Sequence, residues 1–147
     1  MSSIKNGYNR VGNMVVAGKV VTSSTIPLTT TVLPIFQIKG NGGVVEDIVV
    51  SSIDSTGLAG GTNVFIIVGN GTTTASVTAF STAVSGLGSF SSKSIATASV
   101  TGGEVAFPAG ITTVAISSTV GACTGAGQVL VTIKVRGLDD SITVQAL

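Results

Sequence analysis

Apolar and polar residues alternate most cleanly near the C-terminus. Over residues 128–136, Val129, Val131, Ile133 and Val135 point one way while Leu130, Thr132, Lys134 and Arg136 point the other. That is the period-two pattern of a half-buried strand. Thr62 to Val68 is apolar on both faces and predicts a central strand. Met14 to Thr22 (MVVAGKVVT) predicts another, interrupted by Gly18. Ile35 to Lys39, Val44 to Ile53, Thr72 to Val84 (one strand or two), Ile95 to Val100, Glu104 to Phe107 and Ile111 to Val120 complete the set. The 44–53 strand is expected to bulge or bend around Glu46-Asp47.

Turn residues separate these runs. Gly40-Asn41-Gly42-Gly43, Gly69-Asn70-Gly71, Thr101-Gly102-Gly103 and Pro108-Ala109-Gly110 read as turns, and residues 54–61 and 85–94 as loops. Asn-Gly and Gly-Gly reach positive φ at little cost. Residues 121–127 (GACTGAG) read as a flexible connection. A turn every ~8–12 residues is the spacing of a sandwich or barrel. Val, Thr and Ile abound where helix formers are scarce, and they suit a pleated surface better than a helix. The expected fold is therefore all-β: a β-sandwich, jelly-roll-like, with an extended N-terminal arm. The arm covers residues 1–33, where residues 1–13 lack periodicity and 23–34 form an extended segment framed by Pro27 and Pro34. The sandwich covers residues 34–147.

Composition narrows the function. The 147 residues carry 7 Lys plus Arg against 6 Asp plus Glu, a net charge of +1, which gives little counterion release on a phosphate backbone. No nucleic-acid partner is expected. No membrane partner is expected either, because the apolar run Val64 to Val68 falls far short of the ~20 residues of a spanning helix. Cys123 is the only cysteine, so a disulfide framework within the chain is excluded. A chain of this mass folds to roughly 6,800 Å² of exposed surface, enough to enclose a core. Its surface is hydroxyl-rich rather than charged, and few charges oppose association.

Candidate chemistry is thin. Histidine, the commonest general base and metal ligand, is absent. Glu46-Asp47 and Asp139-Asp140 are adjacent carboxylates, which on a strand face opposite sides and cannot flank one substrate. The turn at Asp139-Asp140 lacks the run of oxygen ligands of a calcium loop. Lys93 lies between Ser92 and Ser94, and Cys123 has no basic partner, so neither makes an activated nucleophile by pattern. GACTGAG lacks the Lys-Ser/Thr ending of a phosphate loop. The expectation is a protein without catalytic residues, cofactor or metal. Tyr8, an aromatic in a polar arm, is a candidate anchor on a partner.

The stretch EVAFPAGITTVAISSTVGACTGAGQVLVTIKVRGLDDSITV resembles the C-terminal part of tailed-phage head structural proteins, the capsid decoration (cement) group. The matching residues are Pro108-Ala109-Gly110, Thr124-Gly125, Val129 to Val135 and Leu138-Asp139-Asp140. Upstream, PIFQIKGNGGVVEDIVVSSI resembles the opening of the same group, so the likeness spans roughly residues 34–144. It departs at Lys134-Val135-Arg136-Gly137, where members often carry an aromatic and a proline. The resemblance implies a virion protein on the outer capsid surface, trimeric and bound to the major capsid protein. On that reading Ile4, Tyr8, Val15 and Val16 are expected to contact the shell. Lys134 and Arg136 are expected to meet Asp139 or Asp140 of a neighbouring subunit. The rival expectation is a carbohydrate- or receptor-binding β-sandwich module.

Overall fold

The computed structural model describes residues 10–11, 13–70, 76–94 and 105–147. Among them the chain is all-β, with no α-helix and two short 3-10 turns at Ser23–Thr25 and Val84–Leu87. The strands are β1 (Arg10–Val11), β2 (Met14–Thr22), β3 (Leu33–Ser52), β4 (Asn63–Gly69), β5 (Ser76–Ala83), β6 (Ser92–Ser94), β7 (Val105–Ser118), β8 (Gln128–Gly137) and β9 (Thr143–Ala146). They form one antiparallel, hydrogen-bonded sheet in the order β1-β2-β8-β3-β7-β4-β5, with β6 and β9 also paired to β3. The predicted strand at 95–100 and the turn after it lie outside the described residues.

The architecture turns on β3, which is 20 residues long. Leu33 to Lys39 pair with β7, and Phe36 to Lys39 pair with β9 on the other edge. Asp47 to Ser52 pair with β8, and Val49 to Ser51 with β6. Gly43, Val44 and Val45 pair with β7 and β8 at once. One strand therefore carries two arms, β9-β3-β7-β4-β5 and β1-β2-β8-β3-β6. Both face the same core: Phe36, Val64, Ile66 and Phe80 of the first arm share one cluster with Val21, Ile48, Val131 and Ile133 of the second. Burying each such aliphatic or aromatic side chain contributes about 1.5–3 kcal/mol.

Two expected turns prove to be bends within long strands. Gly40 to Gly43 lie inside β3 and Pro108 to Gly110 inside β7, paired with each other as Gly40–Gly110, Asn41–Ala109 and Gly43–Phe107. The two breaker sequences coincide where the sheet passes from one arm to the other. Gly42 has φ +93°, open to few other residues, and stands opposite Pro108, which has no N–H to give the ladder. A Cβ on Gly43 would land on the Arg136 carbonyl oxygen, so only glycine admits β8 this closely.

The bend expected at Glu46-Asp47 is present as a β-bulge. Val45 pairs with Val135 and Asp47 with Lys134, leaving Glu46 as the extra residue. The bulge resets the alternation, so Val45 and Ile48 both face the core and neither acid does.

The expected boundary at residue 33 is corrected. β2 runs unbroken through Gly18 and pairs with β8 along its whole length. Val15, Val21 and Ile26 belong to the common core. From Met14 onward the N-terminal part is therefore built into the sheet. The GACTGAG connection is likewise not loose. Cys123 N–H donates to Ile26 O at 3.0 Å, Thr124 N–H to Ala59 O at 2.8 Å, and Ser118 Oγ to Gly121 O at 2.6 Å. These bonds lace the loops at one end of the sheet to one another.

Candidate functional site

Strand alternation puts a set of non-core side chains on one face of the β2-β8-β3 arm. Val15 and Val21 face the core, so Met14, Val16 and Val20 face outward. On β8 the core takes Val129, Val131, Ile133 and Val135, and Leu130, Thr132, Lys134 and Arg136 take the other side. The register aligns them in rows. Met14, Arg136, Val44 and Ala106 form one row across four strands. Val16, Lys134 and Asp47 form the next, and Val20, Leu130 and Ser51 another. Val16 is 41% and Val20 45% exposed, a large apolar surface for a strand in mid-sheet.

One ionic cluster interrupts this face. Arg136 Nη2 donates to Glu46 Oε1 at 2.6 Å, and Lys134 Nζ lies 3.7 Å from Glu46 Oε2. Two cations thus share one carboxylate, which the bulge delivers to them. Both cations are about half exposed, so each pair contributes only about 0–1 kcal/mol to stability. Beyond the cluster, Val44, Ala106, Phe107, Arg136 and Leu138 line a mostly apolar hollow of about 350 Å³. Leu138 stands on its rim at 77% exposure.

The residues singled out from sequence separate as follows. Val16, Lys134 and Arg136 come together on this face. Val15 does not: at 8% exposure it points into the core, so its place in the expected shell contact is corrected. One position along a strand changes the face, and the sequence around Met14 to Val16 is apolar on both. Ile4 and Tyr8 lie outside the described residues. Asp139 sits in the turn after β8 and accepts from Asn41 Nδ2 at 2.7 Å and from Ser141 N–H at 3.0 Å. Hydrogen bonds from the Ser141 hydroxyl, then Asn41, hold its carboxyl below the usual range. Asp140 is exposed in the same turn. Lys134 and Arg136 find their carboxylate in Glu46 of their own chain. Glu46 was missed as their partner because pairing across β3 and β8 is not written in either segment alone.

Of the other groups weighed from the sequence, Ser92 is hydrogen-bonded and Cys123 is buried. Ser92 Oγ and Ser51 Oγ share a hydrogen bond of 2.9 Å, with Lys93 beside them in β6. Burial pushes the Cys123 thiol above its ordinary value, which keeps it protonated and poorly nucleophilic. Among the described residues no group of three or more Cys, Asp or Glu is placed to hold a metal ion. No helix among them is long and apolar enough to cross a membrane. The arrangement is a weakly charged face with an apolar hollow and a polar centre, a geometry suited to surface contact. No family model, no curated protein and no solved structure matches the chain.

Proposed function

We propose that the protein is a capsid decoration (cement) subunit of a tailed phage, without enzymatic activity, which binds the major capsid protein as a trimer on the outer surface of the head. In this reading the sheet closes over its core as a jelly-roll-like sandwich and lays its β2-β8-β3 face on the shell. The observation that carries it is that face: Val16, Val20 and Leu138 exposed around a single Glu46-Arg136-Lys134 cluster. The resemblance over residues 34–144 supplies the partner.

The physics of such a role is modest per subunit and large per particle. A standard protein interface buries about 800 Å² on each partner. Its gross hydrophobic gain is offset by lost rotational and translational freedom, so area alone does not fix affinity. Linking three copies in a trimer makes the second and third contacts intramolecular and multiplies the overall hold. Buried area across the seams between shell subunits then opposes their separation. Ile4 and Tyr8 are proposed to extend the contact along the shell.

Co-sedimentation with phage heads stripped of the protein tests this reading. The wild-type chain should saturate the heads. Val16→Asp, Val20→Asp and Leu138→Asp should each lose occupancy with an unchanged unfolding midpoint. Failure of the wild type to bind heads overturns the function, and full binding by all three variants overturns the face.

A further inference from the structure

On the other arm the structure holds a second, different hollow, independent of the capsid reading. It lies on the outward side of β4, β5 and the end of β7. Its walls are Thr29, Thr30, Phe65, Ile67, Thr78 and Ser117, and its volume is about 400 Å³. The register sets Ser117 directly opposite Phe65, and Ile67 opposite Thr78. Ile116 belongs to the core, so its neighbour Ser117 faces the other way, toward the hollow.

Ser117 is the anomaly. It is 1% exposed, and its Oγ is buried without a hydrogen-bond partner among the described residues. The other buried serines nearby are satisfied. Ser118 Oγ donates to Gly121 O and Ser23 Oγ to Thr124 O, each at 2.6 Å. Native proteins leave few buried polar atoms unpaired, and each one calls for an explanation. Here the unpaired atom belongs to a wall of a hollow of ligand size, since small-molecule sites run from roughly 300 to 1,000 Å³.

The lining selects the ligand by exclusion. Among the described residues no charged side chain contributes to it. An anion or cation would be desolvated there without a counter-charge, which is costly. A wholly apolar molecule would leave Ser117 and the threonine hydroxyls unmet. Hydroxyls donate and accept alike, so they suit a partner that does both. The Phe65 ring and Ile67 offer an apolar floor. A neutral molecule with hydroxyls on its rim and an apolar C–H face satisfies every wall. We propose that this hollow is a binding site for a neutral saccharide unit, with Ser117 Oγ hydrogen-bonded to one of its hydroxyls and the ring lying on Phe65.

Saturation-transfer NMR and calorimetry on the full chain test the site. The probes are methyl glycosides of glucose, galactose, mannose and N-acetylglucosamine, with glucuronate as the charged control and benzene as the apolar one. At least one neutral glycoside should bind at millimolar concentration or below, and both controls should fail. Ser117→Ala and Thr78→Val should each weaken binding about three- to tenfold, the worth of one hydrogen bond. The unfolding midpoint should be unchanged, since Ser117→Ala removes an unpaired hydroxyl and Thr78 is exposed. Absence of binding by all four glycosides, or affinity indifferent to both substitutions, overturns the proposal and leaves Ser117 with an ordered water at most.

Discussion

The Asp54 carboxylate accepts the backbone N–H of Gln128 through Oδ2 at 2.9 Å, joining the loop after β3 to the first residue of β8. Its Oδ1 accepts the N–H of Thr56 at 2.9 Å and of Gly57 at 2.8 Å. Three backbone donors thus converge on one side chain. The Gly57 bond, with those from Gln128 and Thr56, holds this carboxyl below its ordinary value of 3.8, against a smaller opposing push from burial. A carboxyl depressed in the folded state contributes stability above its unfolded pKa and loses it as pH falls through the folded value. Asp139, depressed in the same direction, acts likewise. The unfolding midpoint of the wild type should therefore drop below about pH 4, near the carboxylate range. Asp54→Ala should be less stable than wild type at neutral pH and show a flatter acid limb. Identical limbs in thermal scans from neutral to strongly acid pH would refute the role of Asp54.

The bulge and the ion cluster separate cleanly by two changes at one position. Glu46→Ala removes a carboxylate from two half-exposed cations and should cost no more than about 1 kcal/mol. Deleting Glu46 instead removes the bulge residue, and Val45, Asp47 and Ile48 then alternate in, out and in with the pairings Val45–Val135, Asp47–Lys134 and Ile48–Ile133 kept. The deletion should therefore keep a cooperative unfolding transition in denaturant, as the substitution does. Loss of that transition on deletion alone would mean that the rest of β3 depends on the bend the extra residue provides.

Gly43 and Gly121 make a matched pair of tests. A methyl group on Gly43 collides with the Arg136 carbonyl, and backbone on both sides must shift. Gly43→Ala should cost upward of about 2 kcal/mol, in the range of severe packing changes. A Cβ on Gly121 meets nothing within 4 Å. Gly121→Ala should be neutral or should stabilise by about 0.4–1 kcal/mol through the unfolded chain. Urea midpoints measure both, and a destabilised Gly121→Ala would show that the 121–127 loop needs freedom the structure does not reveal.

Cys123 reports on the laced loops. It is 3% exposed, and desolvation raises its thiol pKa, with a hydrogen bond to Ser118 pulling weakly the other way. A disulfide reagent should label the native protein far more slowly than the urea-unfolded chain, with a rate that tracks opening of this region. Labelling of native protein at the unfolded rate would mean that the loops at this end part freely.

The strands whose signals are local were legible in the sequence. Met14–Thr22, Gln128–Gly137 and the central Asn63–Gly69 stand close to where alternation and continuous apolar runs put them. The bulge was legible because Glu46-Asp47 interrupts a run of valines and isoleucines that must stay inside. The paired bends were not. Gly40 to Gly43 and Pro108 to Gly110 carry the same residues a hairpin turn would carry, and only their mutual pairing distinguishes a bend from a reversal. The candidate face was half legible. Lys134 and Arg136 show their side of β8 by alternation, whereas Val15 and Val16 became distinct only once β2 paired with β8. Nothing local marks Ser117 as unpaired, because that depends on what Thr29, Phe65 and Thr78 bring to it from elsewhere in the chain.

A strand held in common by both arms has a mechanical consequence. Peeling either arm from the core strips hydrogen bonds from β3, and β3 is the scaffold on which the other arm hangs. Among the described residues the two arms do not part from each other without breaking β3, so under load they should yield together. Assembly carries the mirror-image cost: partners far apart in sequence must meet before β3 is secured, and formation from the unfolded chain is correspondingly slow.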